Sequence, residues 1–291
     1  QTSDLNDFLM FLLHLGLVYA TLVWGATFIM VKDALAFVHP VALVGWRFLI
    51  AAACLLPFAL AKPRPGRFLR EGAVLGVWLL ILYLAQTAGL KYTSASNSGF
   101  ITGLFVLFVP ALHFILSRRL PAAWELIPFA AAAAGLWLLT GGVRGANRGD
   151  LLTLLAAAAY AAHVLSTDRY VRGDWDPVLL SFHQFWLTGA ACLAASLAFG
   201  LPLSVDGTRA AGVVAFLALI PTLSAFFIQI AAQRHISPLK VSLIFTLEPV
   251  FAALFAWTLG GETFDGAKAA GGGLIVAAMG LDSLCRGKEP I

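Results

Sequence analysis

The chain has 291 residues, of which 60% are apolar and 12% carry charge, and its formal net charge is +4. Soluble domains carry about 25% charged residues, so this chain cannot cover a globular core with a polar surface. The composition excludes a soluble globular enzyme. It also excludes an intrinsically disordered chain, which requires low hydrophobicity and high charge.

Ten apolar segments follow one another along the chain, and each is close to the roughly 20 residues that a helix needs to cross a bilayer. We predict them at residues 8–31, 41–61, 71–91, 97–117, 122–141, 150–169, 178–199, 210–233, 240–259 and 264–284. The loops between them are too short to hold a soluble domain. The sequence therefore predicts an all-α integral membrane protein with ten transmembrane helices.

The orientation of the chain follows from its charges. Gln1–Asp7 contains two acidic residues and no basic one, unlike the start of a secretory signal, so we predict a true first helix. Of the Lys and Arg residues, twelve lie on the side that carries both chain ends, six lie on the opposite side, and Arg47 lies within the second segment. Basic residues concentrate in cytoplasmic loops. Both ends are therefore predicted in the cytoplasm.

Two halves of the sequence resemble each other. The stretch from His39 to Phe48 resembles that from Asp176 to Phe185, at an offset of 137 positions. In the same order, 86–94 resembles 229–237 at an offset of 143. The halves, 1–145 and 146–291, contain five helices each, so the second must enter the membrane from the opposite side. Such inverted repeats are typical of secondary transporters, which bind their substrate between the halves near the midplane.

Three motifs resemble the drug/metabolite transporter superfamily. Leu22-Val-Trp-Gly-Ala-Thr-Phe resembles the opening of the family's first helix, and Gly89-Leu-Lys-Tyr-Thr-Ser-Ala-Ser resembles the end of its third. Leu247-Glu-Pro-Val-Phe-Ala-Ala-Leu-Phe-Ala-Trp, followed by Gly261-Glu262, is similar to its ninth-helix signature. One departure is Arg118 or Arg119, where the family often has an acid after helix 4. The resemblance covers nearly the whole chain as two EamA-type repeats.

This resemblance implies a central cavity lined by helices 1, 3, 4, 6, 8 and 9, with helices 2, 5, 7 and 10 at the periphery. It also implies alternating access and transport of small metabolites, often outward. The aromatic-rich sequence is most similar to the YddG type of bacterial exporter of aromatic amino acids. The location implied is the bacterial inner membrane, and the expected partners are a small-molecule substrate and the lipid bilayer.

Ionisable groups inside the bilayer are costly and mark candidate site residues. Glu248 immediately precedes Pro249 in the ninth helix. It either binds a proton or a substrate ammonium group, or caps a helix that the proline interrupts. His163 lies three residues after Tyr160, so the two side chains share a helix face. It either binds substrate or relays protons, or is a hydrogen-bonded bundle histidine.

Neutral polar side chains provide further candidates for substrate binding. Gln86 and Gln229 occupy equivalent repeat positions, one turn after Tyr83 and Phe226 respectively. An amide can bind both an ammonium and a carboxylate, although it can equally join helices. Asn97 lies at the start of the fourth helix, whose backbone donors could attract a carboxylate; the alternative role is helix capping.

Aromatic residues and prolines complete the set. Four aromatic side chains are candidates for the wall of the cavity, with packing as the alternative: Trp24, Trp78, Phe100 and Tyr160. Arg47 is interpreted as a snorkelling or paired structural residue of a peripheral helix. Pro110 and Pro249 are predicted hinges, because proline breaks helical hydrogen bonding.

Several motifs are missing from the sequence. It has no P-loop, no zinc-protease motif and no nucleophile-elbow motif, so we expect neither an enzyme nor a metal, cofactor or nucleic acid partner. The near absence of intramembrane cations argues against phosphorylated substrates. We predict an exporter of aromatic or hydrophobic amino acids and related metabolites, with proton coupling left open. The alternative is a proton-coupled exporter of lipophilic cations or drugs.

Overall fold

The computed structural model describes residues 2–93, 95–118, 123–140, 147–258 and 263–286. Within these ranges the regular elements are helices, and one isolated antiparallel bridge joins Val38 to Val205. The elements are α1 (Thr2–Ala34), α2 (Pro40–Leu60), α3 (Leu69–Gly89), α4 (Ala95–Gly103), α5 (Phe105–Ser117), α6 (Ala123–Thr140), α7 (Arg148–Val171), α8 (Pro177–Phe199), α9 (Thr208–Leu217), a π-helical segment (Ala218–Ser224), α10 (Ala225–Gln233), α11 (Pro238–Phe245), α12 (Leu247–Thr258) and α13 (Gly266–Arg286).

The helices confirm the all-α membrane architecture. In the described ranges eight spans are long and apolar enough to cross a membrane: 6–34, 40–60, 69–89, 98–116, 148–171, 177–199, 208–233 and 238–255. Shorter apolar helices lie at Leu126–Leu138 and Gly266–Met279, within α6 and α13. Together these spans and helices correspond in order to the ten predicted segments.

Three of these segments, among the residues that the structure covers, are not continuous α-helices. The fourth is interrupted between α4 and α5 at Leu104, and the ninth between α11 and α12 at Thr246. The eighth widens into the π-helical segment, which contains Pro221. In the ninth, Pro249 has no amide hydrogen to donate to the Phe245 carbonyl oxygen one turn back, and within the interruption the Thr246 hydroxyl donates to the Leu243 carbonyl oxygen at 2.6 Å.

The interruptions of the fourth and ninth segments lie against each other. A Cβ on Gly103, the last residue of α4, would lie 3.5 Å from Cγ of Pro249. The predicted hinge Pro249 therefore lies beside the break in its own segment. Pro110 instead lies inside α5, after the break at Leu104. Gly103 also packs tightly against Leu136, which an added Cβ would meet at 3.0 Å, so α4 ends where it touches α6.

Equivalent helices of the two halves pack together. The second segment, α2, lies along the seventh, α8, and an added Cβ on Gly189 would lie 2.6 Å from Leu49 Cγ. The fifth segment, α6, lies along the tenth, α13, where a Cβ on Gly135 would meet the Gly271 carbonyl oxygen at 2.7 Å. This self-pairing is consistent with inverted repeats related by a pseudo-twofold axis. The predicted boundary between residues 145 and 146 lies outside the described residues.

Loops of the two halves also meet at both ends of the bundle. At one end, beside the Val38–Val205 bridge, the indole Nε1 of Trp46 donates to the Leu203 carbonyl oxygen at 2.9 Å. At the other end Lys62 pairs with Asp176 at 2.6 Å, and Arg67 pairs with Asp174. Each end is thus closed by one loop from each half.

Candidate functional site

Six buried aromatic side chains meet at the centre of the bundle. We call them the central aromatic cluster: Trp24, Tyr83, Phe105, Tyr160, Phe226 and Phe245. They come from α1, α3, α5, α7, α10 and α11, which are parts of segments 1, 3, 4, 6, 8 and 9. These are the six segments that the resemblance implies as cavity-lining. Two more buried rings, Phe48 of α2 and Phe185 of α8, join the same network from segments predicted to be peripheral, with centroids 5.1 Å from Tyr83 and 6.1 Å from Phe226. The ring centroids of Phe105 and Tyr160 are 4.6 Å apart, and those of Trp24 and Phe245 are 5.0 Å apart.

Backbone geometry orients the first of these rings. Trp24 Nε1 donates to the Pro221 carbonyl oxygen at 2.8 Å, in the π-helical segment. A π-helix widens the turn, and this leaves the carbonyl accessible to a side chain. On the other side of α1, a Cβ on Gly25 would lie 2.7 Å from the backbone oxygen of Glu248. Trp24 and Gly25 therefore make two different contacts. The indole of Trp24 binds the eighth segment, and the missing side chain of Gly25 allows the backbone of the ninth segment to pack against α1.

Glu248 is the buried acid of this region, with 6% of its surface exposed. It is the second residue of α12, directly after the interruption at Thr246. Its backbone oxygen packs against Gly25, next to Trp24 of the cluster. Among the described residues no Lys, Arg or His forms an ion pair with it. The acid therefore faces the cluster without a fixed counter-charge.

Several buried polar atoms at or beside the cluster have no hydrogen-bond partner among the described residues. They are the Tyr160 hydroxyl, Nδ1 of His163, Oε1 of Gln229 and Nη2 of Arg47. The large majority of buried side-chain polar atoms in proteins are satisfied, so these four atoms are candidates for contact with a ligand. A ligand with both polar and aromatic parts would provide the missing partners.

Five predicted site residues lie in direct ring contact: Trp24, Tyr83, Tyr160, His163 and Phe226. The imidazole of His163 lies 5.6 Å from the Phe226 ring, and its Nε2 is 3.0 Å from Oε1 of Gln184. The histidine thus has both a structural partner on α8 and a free nitrogen.

The two equivalent glutamines make hydrogen bonds between or along helices. Nε2 of Gln86 donates to the Thr102 hydroxyl at 3.0 Å and joins α3 to α4. Nε2 of Gln229 donates to Gln233 at 2.8 Å, and Gln233 in turn donates to the Val164 carbonyl oxygen at 2.8 Å. Both therefore have a structural role, while the free carbonyl oxygen of Gln229 stays available to a ligand.

Other predicted residues lie away from the cluster. Phe100 packs against Trp137 of α6, with ring centroids 6.2 Å apart, in a separate apolar group. Trp78 is half-buried and packs against the edge of the core around the cluster. The side chain of Asn97 lies outside the described part of the structure.

Three residues of the site were not among the predicted ones. Phe105 and Phe245 belong to the cluster, and their separation of 140 positions is close to the repeat offset. Neither repeat offset, 137 or 143, aligns them with each other, so the repeat gave no signal for this pair. Arg47 was interpreted as structural, yet it is buried with its Cζ 4.4 Å from the Tyr83 ring centroid. The available signal was its charge in the middle of an apolar segment.

The chain matches known transporters over nearly its whole length. The model of the EamA-like transporter family matches residues 12–141 and again 147–282. An uncharacterized transporter of Archaeoglobus fulgidus is 30% identical over 277 residues, which cover 93% of this chain and 85% of the relative. A solved crystal structure has a TM-score of 0.79 at 19% identity, covering 95% of this chain and 99% of the other, and shows the same fold.

Two bacterial relatives have more specific names. The uncharacterized inner membrane transporter YedA of Escherichia coli is 26% identical over 279 residues, covering 90% of this chain and 88% of the relative. A probable amino-acid metabolite efflux pump of Salmonella typhimurium is 26% identical over 278 residues, covering 88% and 90%. With both halves matched by one family model and the membrane fold established, the chain belongs to the EamA-like transporter family.

Proposed function

We propose that this protein exports aromatic or hydrophobic amino acids and related small metabolites by alternating access. The observation that carries the proposal is the central aromatic cluster, in which six rings from six helices lie beside buried polar atoms that lack partners. Aromatic rings pack favourably against another ring. The free polar atoms and Glu248 are suited to an amino acid's charged end.

The comparisons support amino acids as the substrate class. The Salmonella relative is named a probable amino-acid metabolite efflux pump. The aromatic lining supports the narrower proposal that the protein is of the YddG type and favours amino acids with a ring. Trp24, Tyr83, Tyr160 and Phe226 would contact the ring, and His163, Gln229 and Glu248 would bind the polar end.

Alternating access requires two bodies that move against each other around the site. We assign these to repeats 1–145 and 146–291, with the adjacent interruptions at Leu104 and Thr246 as the flexible region, and with Pro110 and Pro249 as hinge residues. The rings of the cluster pack directly against one another, so substrate entry requires the repeats to separate. The location would be the bacterial inner membrane with both termini in the cytoplasm, as the basic loops favour.

Export of lipophilic cations is the second candidate, because Glu248 is a buried acid without an ion-pair partner in the described part of the chain. An acid beside aromatic rings is suited to a cation with apolar groups. In this case Glu248 would be the counter-charge, and protonation would release the substrate.

The test is transport by the purified protein in liposomes. Labelled tryptophan and phenylalanine are expected to enter saturably, and an imposed pH gradient shows whether protons are coupled. Glu248→Gln should slow uptake of both amino acids, whereas Asp33→Asn, at an exposed acid of α1, should not. Folded protein that moves tetraphenylphosphonium but neither amino acid would contradict the proposal and favour the cation exporter.

A further inference from the structure

Arg47 is a buried cation within a transmembrane helix. It lies in α2, and only 2% of its surface is exposed. Its Nε donates to the hydroxyl oxygen of Thr222 at 2.8 Å, and that hydroxyl donates onward to the Leu217 carbonyl oxygen at 2.7 Å. The π-helical segment, where Thr222 lies, thus fixes one edge of the guanidinium group.

The guanidinium also lies beside the Tyr83 hydroxyl and against two aromatic rings. Its Cζ lies 4.4 Å from the ring centroid of Tyr83 and 5.6 Å from that of Phe48. Its Nη2 is buried and has no hydrogen-bond partner among the described residues. The planar group is therefore held in place, while one of its donors has nothing to donate to.

No carboxylate in the described part of the chain forms an ion pair with Arg47. A buried charge is costly unless it is paired and hydrogen-bonded. Cation–π contacts with two rings offset a part of this cost. An anion with two acceptor oxygens would complete the pairing of this guanidinium, because arginine binds a carboxylate through two parallel hydrogen bonds.

The position of Arg47 connects it to the central aromatic cluster. The Tyr83 ring that Arg47 covers lies 6.1 Å from the Phe226 ring. The backbone of Glu248 packs against Gly25, the residue that follows Trp24 of the cluster. The cluster therefore has a buried cation beside Tyr83 and a buried acid where α12 meets α1, and these are the two charges that would bind the two ends of a zwitterion.

We propose that Arg47 binds the carboxylate of the transported compound, so that the protein selects aromatic substrates with a free carboxylate. This inference rests on the proposed function and narrows its substrate class. A small free anion such as chloride has part of the same chemistry, and the experiment must separate it from a substrate carboxylate.

The wild-type protein in liposomes gives the first arm. Uptake of labelled tryptophan is competed with indole-3-propionate, which has a carboxylate but no amine, and with tryptamine, which has an amine but no carboxylate. We expect tryptamine to inhibit tryptophan uptake at least about tenfold more weakly than indole-3-propionate does. Tryptamine lacks the carboxylate that would accept a charge-assisted hydrogen bond from Arg47. Replacing chloride by gluconate should leave uptake unchanged.

Variants give the second arm. Arg47→Met should reduce tryptophan uptake roughly 10- to 100-fold and abolish competition by indole-3-propionate, while competition by tryptamine stays unchanged. Arg47→Lys should be intermediate, because lysine keeps the charge without the planar fork. Arg70→Met, at an exposed arginine of α3, is the matched control. A merely structural role would instead weaken all compounds equally.

The outcomes separate the two proposals. If wild-type protein transports tryptophan, and either tryptamine competes as well as indole-3-propionate or Arg47→Met transports tryptophan normally, the carboxylate site is wrong and the proposed function stands. If uptake depends on chloride and that dependence vanishes in Arg47→Met, the site binds a small anion instead. If folded wild-type protein takes up neither labelled tryptophan nor labelled phenylalanine, the proposed function fails and this inference fails with it. Should Arg47→Met not fold, the wild-type competition alone decides.

Discussion

The central residues are unusual because their burial is complete while their hydrogen bonding is not. Burying a hydroxyl or imidazole without a partner costs about 1–3 kcal/mol. The Tyr160 hydroxyl and the His163 Nδ1 both lack partners within the described structure. Such atoms lower the stability of the fold as they stand, and under the proposed function they contact the substrate.

Removing the Tyr160 hydroxyl tests this interpretation. We expect Tyr160→Phe to unfold at the same temperature as wild type or higher, because the lost group has no partner in the described structure. The KM for tryptophan should rise roughly fivefold, which corresponds to one neutral hydrogen bond of about 1 kcal/mol. A lower unfolding temperature with an unchanged KM would make the hydroxyl structural.

Gly25 provides a second prediction for a single residue. A Cβ there would lie 2.7 Å from the Glu248 oxygen and 2.9 Å from the Ala252 nitrogen, both backbone atoms that cannot move freely. Gly25→Ala should therefore destabilise the protein by about 1–3 kcal/mol, measured as a lower unfolding temperature in detergent. Gly212→Ala is the control, because an added Cβ there meets nothing within 4 Å. Equal behaviour of the two variants would contradict the close contact of α1 with α12.

The site could be predicted from the sequence only in part. Repeat position picked out Tyr83 and Phe226, while Trp24 and Tyr160 were proposed as aromatic residues of a cavity wall, and the structure brings these four rings into contact. Phe100 was proposed for the same wall but packs against Trp137 of α6. Which neighbouring helix a ring meets depends on the packing of the bundle, and a sequence pattern does not show this.

The fourth and ninth segments are each interrupted, and the two interruptions adjoin. Gly103 precedes one and Pro249 follows the other, and an added Cβ on Gly103 would lie 3.5 Å from Pro249 Cγ. The ten predicted segments correspond in order to the eight spans and two shorter apolar helices of the described structure. Such segments can be located from sequence because their mean hydropathy depends only on which residues they contain. The π-helical segment was not predicted, because it depends on a local insertion around Pro221 rather than on apolar periodicity.

The loop that begins α8 gives a prediction about pH. Partial burial disfavours the charge of Asp176, but the Lys62 hydrogen bond and the backbone donors of Leu179 and Val178 outweigh it and hold the pKa of Asp176 below its ordinary value. Because the pKa of Asp176 is lower in the folded than in the unfolded protein, its ionisation stabilises the fold at pH values above the unfolded-state pKa of about 3.9. This stabilisation is lost as the pH falls through the pKa of Asp176 in the folded protein.

Two variants separate the cap from the ion pair at Asp176. Asn caps helices as well as Asp does, so Asp176→Asn should lose only the pair with Lys62, worth at most about 1 kcal/mol on a partly exposed surface. Asp176→Ala should lose about 1 kcal/mol more. Thermal unfolding at pH 7 and at pH 3 measures both. A deficit of Asp176→Asn that persists unchanged at pH 3 would contradict the assignment.

In the whole molecule, both ends of the bundle are closed by loops of opposite halves. Val38 meets Val205 at one end, and Lys62 meets Asp176 at the other. Equivalent helices of the two halves also pack against each other, α2 against α8 and α6 against α13, as expected for repeats related by a pseudo-twofold axis. Opening either end requires breaking one such loop contact, and this is what alternating access would do in turn.

Labelling from outside the cell tests the orientation. In a background in which Cys54, Cys192 and Cys285 are replaced by Ser, we expect an impermeant maleimide to react with Asp206→Cys but not with Arg64→Cys in intact cells. Both positions are exposed, at opposite ends of the bundle. After the cells are permeabilised, both variants should react. The reverse pattern in intact cells would place the termini outside.

Tryptophan counterflow is the most direct measurement of the central claim. Liposomes that contain the protein are loaded with unlabelled tryptophan and diluted into labelled tryptophan, without any ion gradient. A carrier that alternates around the central aromatic cluster should accumulate label transiently above equilibrium, and Arg70→Met should do the same. Protein that is folded yet shows no transient accumulation of tryptophan or phenylalanine would contradict aromatic amino acid transport by this site.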